Sequence, residues 1–278
     1  MLLEQIVSSA KDLPSLPAIT YRVIKLVDDP QSTAKDLNDV ITQDQSLTAK
    51  VLRLANSAYY GFPRRISTVT DAIVLLGFNT IRSLVLSASV YHILEKPLEG
   101  YALAPGELWR HSQASAMAAR LIAQRARYRQ PDQAYIAGLL HDIGKVLLNH
   151  HLREQYHEVV ARVGGEKTFI DVEEEVLGFN HAQVGALLAE KWNLPPDLVE
   201  AIGCHHQPAA AKKNRELTAI THLADALCMT MGLGLGIDGL YYKVDEDAIR
   251  LLKLKEEELE QLISRLADTL ADGTSLLY

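Results

Sequence analysis

The sequence predicts an all-α protein. Three observations lead there. Apolar residues recur at helical spacing along most of the chain, no stretch alternates apolar and polar residues as a strand does, and capping residues stand ahead of the periodic runs. Hydrophobic residues fill 48% of the 278 positions and aromatics only 6%, a balance that suits a core of Leu, Ala, Val and Ile. That length can bury a substantial core as one large domain or two modest ones.

Taken in order, residues 1–11 are a short helical candidate, closed by Leu13-Pro14-Ser15-Leu16-Pro17, whose prolines impose an extended segment. Over 17–27, Ile19, Val23, Ile24 and Val27 lie at helical spacing. Ser32 or Thr33 caps the next helix, with Asp36 in its first turn. Residues 44–57 form another helix, with Leu47, Val51, Leu52 and Leu54 inward, ending in the loop Asn56 to Pro63. Two helices, 68–76 and 80–94, meet around Gly77-Phe78-Asn79. As a pair they lack the basic and polar face of a helix-turn-helix DNA reader, since Arg82 alone makes no recognition surface.

Glu95 to Gly106, with Pro97, Gly100 and Pro105, is the clearest composition break and the expected boundary, dividing the chain into 1–100 and 101–278. Helices are then expected over 107–127, 131–148, 151–163, 169–177, 181–192, 196–206, 215–231, 245–252 and 255–270. Pro196 suits a helix start. The glycines of Met231 to Asp238 follow a helix rather than a strand, which favours a flexible loop over a phosphate cradle. Glu256, Glu257 and Glu258 open the last helix, where acidic side chains complement its dipole.

The formal charge of −7 argues against broad nucleic-acid binding. No signal peptide and no apolar run of about 18 residues is seen. Cys204 and Cys228 make no disulfide framework. A soluble cytoplasmic protein is expected.

The candidate chemistry centres on Gly138-Leu139-Leu140-His141-Asp142-Ile143-Gly144-Lys145. On one continuous helix, His141 and Asp142 stand about 100° apart and Lys145 lies one turn on. They offer a nitrogen ligand, a carboxylate able to bridge two metals, and a cation for a phosphate. Glu107 and His111, four apart, share a helix face. His181 opens a helix, His205 and His206 end one, and Asp225 sits among apolar neighbours where an unpartnered carboxylate is costly. Mixed imidazole and carboxylate donors suit iron, manganese, zinc or nickel. His92, His150, His151, His157 and His222 are taken as ordinary hydrogen-bonded histidines, and Cys204 as an inert thiol.

The order His111, His141-Asp142, His181, His205-His206, Asp225 resembles the HD superfamily of metal-dependent phosphohydrolases. The first half narrows it. Leu13-Pro14-Ser15-Leu16-Pro17, Asp44-Gln45-Ser46-Leu47, Leu52-Arg53-Leu54-Ala55-Asn56-Ser57-Ala58-Tyr59-Tyr60-Gly61 and Ala72-Ile73-Val74-Leu75-Leu76-Gly77 resemble the HDOD domain, the HD-related output domain of bacterial signalling proteins. The likeness continues through Trp109-Arg110-His111-Ser112, His181-Ala182-Gln183-Val184-Gly185 and Trp192-Asn193-Leu194-Pro195. It implies an HD-type helical bundle with an additional N-terminal helical subdomain. HDOD domains often lack a complete catalytic set, whereas this chain keeps a ligand set similar to that of HD-GYP phosphodiesterases. Glu107, His111, His141, Asp142, His181, His205, His206 and Asp225 follow that order. Gln207-Pro208-Ala209-Ala210-Ala211-Lys212-Lys213 replaces the glycine- and tyrosine-containing signature, which argues against cyclic di-GMP as substrate.

Two functions follow as expectations. One is a signalling output protein with a bound metal pair, iron or manganese favoured. The other is a metal-dependent phosphohydrolase of a nucleotide or other phosphoester, with Asp142 bridging the metals and Lys145 on a phosphate oxygen. The expected partner is a signalling protein or a small phosphorylated ligand, with no membrane, no nucleic acid, and an oligomer allowed.

Overall fold

The structure is a computed structural model that describes residues 14–149, 158–159, 162–163, 167–234, 236 and 244–272. The expected helix over 1–11, most of that over 151–163 and much of the glycine-rich loop lie outside the described residues. Among the described residues the chain is all-α, with no strand, only isolated bridge contacts such as that between Leu98 and Leu103.

The described chain divides into two compact units, one built on Ile93–Ser264 and the other on Ser15–His92 with the stretch from Arg265. The division between His92 and Ile93 falls inside a helix, ahead of the proline-containing loop where composition shifts.

The N-terminal unit holds α1 (Ala18–Asp28), α2 (Ala34–Ile41), α3 (Gln45–Ala55), α4 (Val69–Leu76) and most of α5 (Phe78–Leu94). Local chemistry starts these helices. Thr33 and Asp36 form a reciprocal capping box on α2, Asp44 accepts from Leu47 N–H on α3, and Thr68 accepts from Asp71 N–H on α4. Gly77 takes φ +81°, which lets α4 end and α5 begin at once. Asn56 closes the loop after α3, donating to Ile66 O at 2.8 Å and accepting from Ile66 N–H at 2.7 Å. Leu37, Ile41, Val51, Ile73 and Val85 are sealed inside, each burial worth about 1.5–3 kcal/mol.

The larger unit comprises α6 (Glu107–Arg125), α7 (Pro131–Leu140), α8 (Phe169–Leu177), α9 (His181–Lys191), α10 (Pro196–Gly203), α11 (Arg215–Thr230), α12 (Glu246–Leu251) and most of α13 (Glu256–Asp272). The central helix is α11, which packs against α6, α7, α10 and α12. The α6 face toward its neighbours is small-residue rich, with Ser112, Ala114, Ser115, Ala116, Ala118 and Ala119 buried. That allows α7 to approach so closely that a Cβ on Gly138 would meet Ser115 O at 2.5 Å.

Residues 131–148 are not the one continuous helix expected. α7 ends at Leu140, a turn occupies 141–143, and helix resumes over 144–149. The turn is tight, with Ile143 N–H donating to Leu140 O and Lys145 N–H to Asp142 O, both at 3.0 Å in the i to i+3 pattern. The physical reason is the crossing of α9. A Cβ on Gly144 would lie 2.0 Å from His181 O and 2.6 Å from Gly185 N, so backbone runs against backbone here. The resumed helix passes α9 only because residue 144 has no side chain.

Candidate metal centre

Each element delivers its donors for a local reason. His111 sits one turn into α6, and His141 and Asp142 lie in the turn that the glycine crossing imposes. His181 is the first residue of α9, positioned by the capping box of Asn180 and Gln183. His205 and His206 follow the end of α10, and Asp225 projects from mid-α11. His111, His141, Asp142, His205 and Asp225 are each at most 1% exposed, and His181 is equally buried.

The ring orientations follow from hydrogen-bond chemistry. His141 Nδ1 lies 2.8 Å from Gly138 O, His205 Nδ1 2.7 Å from Ile202 O and His111 Nδ1 3.0 Å from Leu233 O. A carbonyl only accepts, so these Nδ1 atoms carry the protons. Neutral rings therefore turn unprotonated Nε2 atoms inward. His111 Nε2 and His141 Nε2 stand 3.2 Å apart, a contact that is repulsive unless a cation or proton lies between them.

Asp142 divides the donors into two groups. Its Oδ2 faces His141 Nε2 at 3.3 Å and His111 Nε2 at 3.5 Å, and Asp225 Oδ1 completes that group, 3.1 Å from His111 Nε2 and 3.5 Å from His141 Nε2. Its Oδ1 faces His181 Nε2 at 3.3 Å and His205 Nε2 at 3.9 Å, and His206 Nε2 lies 2.9 Å from His181 Nε2. Two donors each about 2.1 Å from one ion, at angles between square and tetrahedral, stand about 3.0–3.4 Å apart, and all of these separations but His205 Nε2 to Asp142 Oδ1 lie within about 0.1 Å of that range. Asp142 Oδ1, His205 Nε2 and Asp225 Oδ1 are buried without a hydrogen bond. Buried polar atoms are normally paired, so orphans in both donor groups fit a cation in each. The donor set fits a metal.

Electrostatics agree. Burial works against a charge on His141 and on His181, yet Asp142 and Asp225 raise the first to about 10, and Glu173 with Asp142 raises the second to about 9. Burial and the neighbouring imidazoles hold His205 down at about 3. Burial opposes the charge on Asp142 and Asp225 also, but His141 with Lys145 for the first, and His141 with His111 for the second, keep them well below the usual carboxylate range. Without metal, protons on His141 and His181 neutralise the carboxylates.

Two expected residues are placed differently. Glu107 is not brought to the cluster; its Oε2 accepts from Ala104 N–H at 2.6 Å, and its Oε1 lies 4.0 Å from Arg110. At the first position of α6 its side chain reaches back over the helix start to Ala104. Lys145, expected on a phosphate, is 2% exposed and donates from Nζ to Asp142 Oδ2 at 2.6 Å. Cys204 is half-buried and outside the donor groups.

Three contributors escaped the sequence reading. Glu173, fully buried, binds His181 through Oε2, 2.7 Å from Nδ1 and 3.0 Å from the backbone N. Its signal was present, since Phe169, Val172 and Glu173 fall on one face of α8 at i, i+3 and i+4. Tyr101, inside the supposed linker, donates to Glu173 Oε1 at 2.5 Å. Gly234 packs on His111, where a Cβ would lie 2.6 Å from the His111 Cβ, so the described part of the glycine-rich loop helps fix that ring. His222 is the hydrogen-bonded core histidine expected, donating from Nδ1 to His205 O at 2.7 Å and accepting from Asp245 N–H at 2.9 Å.

Comparison with known proteins agrees with the fold. A crystal structure of an HDOD domain protein with unknown function from Geobacter sulfurreducens is 29% identical, with a TM-score of 0.79 over 97% of this chain and 94% of that one. A protein from Shewanella amazonensis SB2B, provisionally described as a phosphohydrolase, is 28% identical, with a TM-score of 0.76 over 99% of this chain and 96% of its own. An uncharacterised protein from Treponema pallidum (strain Nichols) is 26% identical over 225 residues, which is 77% of this chain and 42% of that protein. The chain thus spans less than half the length of that curated relative. The HDOD domain model matches residues 13–208, from the proline-containing segment ahead of α1 to just past His206, with Asp225 beyond it. With well over half of its length matched, the chain belongs to the HDOD domain family.

Proposed function

We propose that this chain is a signal-transduction output protein whose helical core carries a pair of divalent transition-metal ions. One ion would be held by His111, His141, Asp225 and Asp142 Oδ2, the other by His181, His205, His206 and Asp142 Oδ1. Iron or manganese suits this mixture best, and zinc or nickel is compatible with it. The observation that carries the reading is the convergence of buried, orphaned donor atoms on the two faces of Asp142. Bound ions would supply Lewis acidity and a water of lowered pKa, and would tie together helices distant in sequence so that ligation adds to fold stability. A cytoplasmic location and a signalling protein or small phosphorylated ligand as partner belong to the same proposal. Among the described residues, no helix is long and apolar enough to cross a membrane.

Burial favours the output reading over catalysis. All the donors but the half-buried His206 are sealed, Lys145 already pairs with Asp142, and the cavity beside His206 has a volume of about 50 Å³. That accommodates a few waters, whereas a nucleotide-sized ligand needs a pocket of about 300 Å³ or more. The second reading, a phosphohydrolase, is supported by the likeness to the Shewanella protein and by the bridging position of Asp142. Metal analysis of the purified protein, followed by a panel of phosphoesters and cyclic nucleotides with iron or manganese under reducing conditions, separates the two. Metal without turnover supports the output reading; turnover abolished by Asp142→Ala establishes the hydrolase. Less than one ion per chain under all conditions refutes both.

A further inference from the structure

The two donor groups differ in what stands behind them. His111, His141 and His205 each give Nδ1 to a neutral backbone carbonyl, but His181 gives it to the carboxylate of Glu173. Glu173 is 0% exposed, and Tyr101 holds its other oxygen. The side-chain and backbone nitrogens of His181 converge on one oxygen, Glu173 Oε2, so both ring angle and helix start are locked to this carboxylate.

The donors in contact differ in charge as well. The His111–His141 group contains a carboxylate of its own, Asp225. The other group contains three imidazoles and only the shared Asp142. A dication among three imidazoles, two of them fully buried, has only the shared Asp142 to offset the cost of its desolvation. Glu173 is the buried negative charge within hydrogen-bond distance of that group.

We infer that Glu173, positioned by Tyr101, is the residue that governs occupancy of the His181–His205–His206 half of the centre. It acts through His181 rather than as a ligand, making the ring a stronger donor and supplying charge from behind it. This inference rests on the proposed metal pair. Occupancy of the two halves is therefore separable by mutation, the Glu173 side depending on a residue that touches no metal.

The test uses the full chain loaded with manganese and, separately, with cobalt(II) for its absorption spectrum. Wild type is expected to bind about two ions. Glu173→Gln is expected to weaken one of them by about 10- to 100-fold, leaving about one ion per chain after dialysis and a changed cobalt spectrum. Tyr101→Phe keeps the carboxylate and frees one of its oxygens, so it should weaken the same ion by a smaller factor. If Glu173→Gln does not fold, Tyr101→Phe carries the test, and an unchanged affinity for both ions overturns the inference. Two equally tight ions in folded Glu173→Gln overturn it also, while leaving the metal pair intact. Fewer than one ion in wild type overturns the pair itself and this inference with it.

Discussion

Lys145 places its ammonium nitrogen 2.6 Å from Asp142 Oδ2, the same oxygen that is turned toward His111 and His141. Both side chains are sealed from solvent, so the pair is an interior charge balance rather than a surface ion pair. It also sets a lysine beside the place where the first ion would bind, and that competition can be measured.

Lys145→Met should destabilise the metal-free protein by about 3–5 kcal/mol, because it strands a buried carboxylate. The same change should cost less in the metal-loaded protein, where a cation takes over the role. Urea denaturation with chelator and with manganese gives the two values, and an equal loss in both conditions would count against a metal at Asp142.

Gly144→Ala tests the crossing that forms the turn. The added methyl would sit 2.0 Å from His181 O, which is backbone and cannot swing aside. Displacing α9 from the turn should cost about 3 kcal/mol or more, at the upper end of overpacking. Because Asp142 and His181 sit on the two sides of that crossing, metal retention should fall together with the melting temperature.

Glu107→Ala is expected to leave the metal content unchanged. The lost contact is a hydrogen bond to Ala104 N–H at the start of α6, so a stability loss of about 0.5–1.5 kcal/mol is expected. Loss of an ion on this substitution would return Glu107 to the ligand set.

Metal binding should depend steeply on pH. His141 and His181, raised to about 10 and about 9, are protonated in the metal-free protein near neutrality, and an ion must displace those protons. Affinity should rise by up to about 100-fold per pH unit between pH 6.5 and 8.5 if both leave, and by about tenfold if one does. For the metal-free fold the sign is opposite. A histidine whose pKa is raised on folding stabilises fully below its unfolded pKa near 6.5, and that contribution is lost as pH climbs through about 9 to 10. Calorimetry in buffers of different ionisation enthalpy counts the protons released, and a count of zero would refute the assignment of these protonation states.

Much of this was legible from local pattern. Thr33 with Asp36, Asp44, and Pro196 mark helix starts through side-chain chemistry that acts within one turn, and the observed helices begin beside them. Periodicity likewise yields the all-α class, since which face of a helix is apolar depends on the helix alone. The family order of His111, His141, Asp142, His181, His205, His206 and Asp225 singles out the residues that the fold brings together. Sequence order alone carries no distances: Glu107 has the spacing and the family position of a ligand, and its side chain caps the start of α6 at Ala104 instead.

What stayed hidden depended on contacts between segments far apart in the chain. Glu173 reads as one of three consecutive glutamates until α8 folds it under His181, and Tyr101 reads as part of a linker until that loop carries it to the same carboxylate. The break at His141 is invisible to periodicity, because it arises where α9 meets Gly144 backbone to backbone. The helical class, the helix starts and the inventory of donors follow from residue identities and from interactions within a few residues. Which oxygen of Asp142 faces which imidazoles, and which buried charges stand behind them, is set by helix packing. Those outcomes depend on ångström-scale separations between helices, which no local pattern encodes.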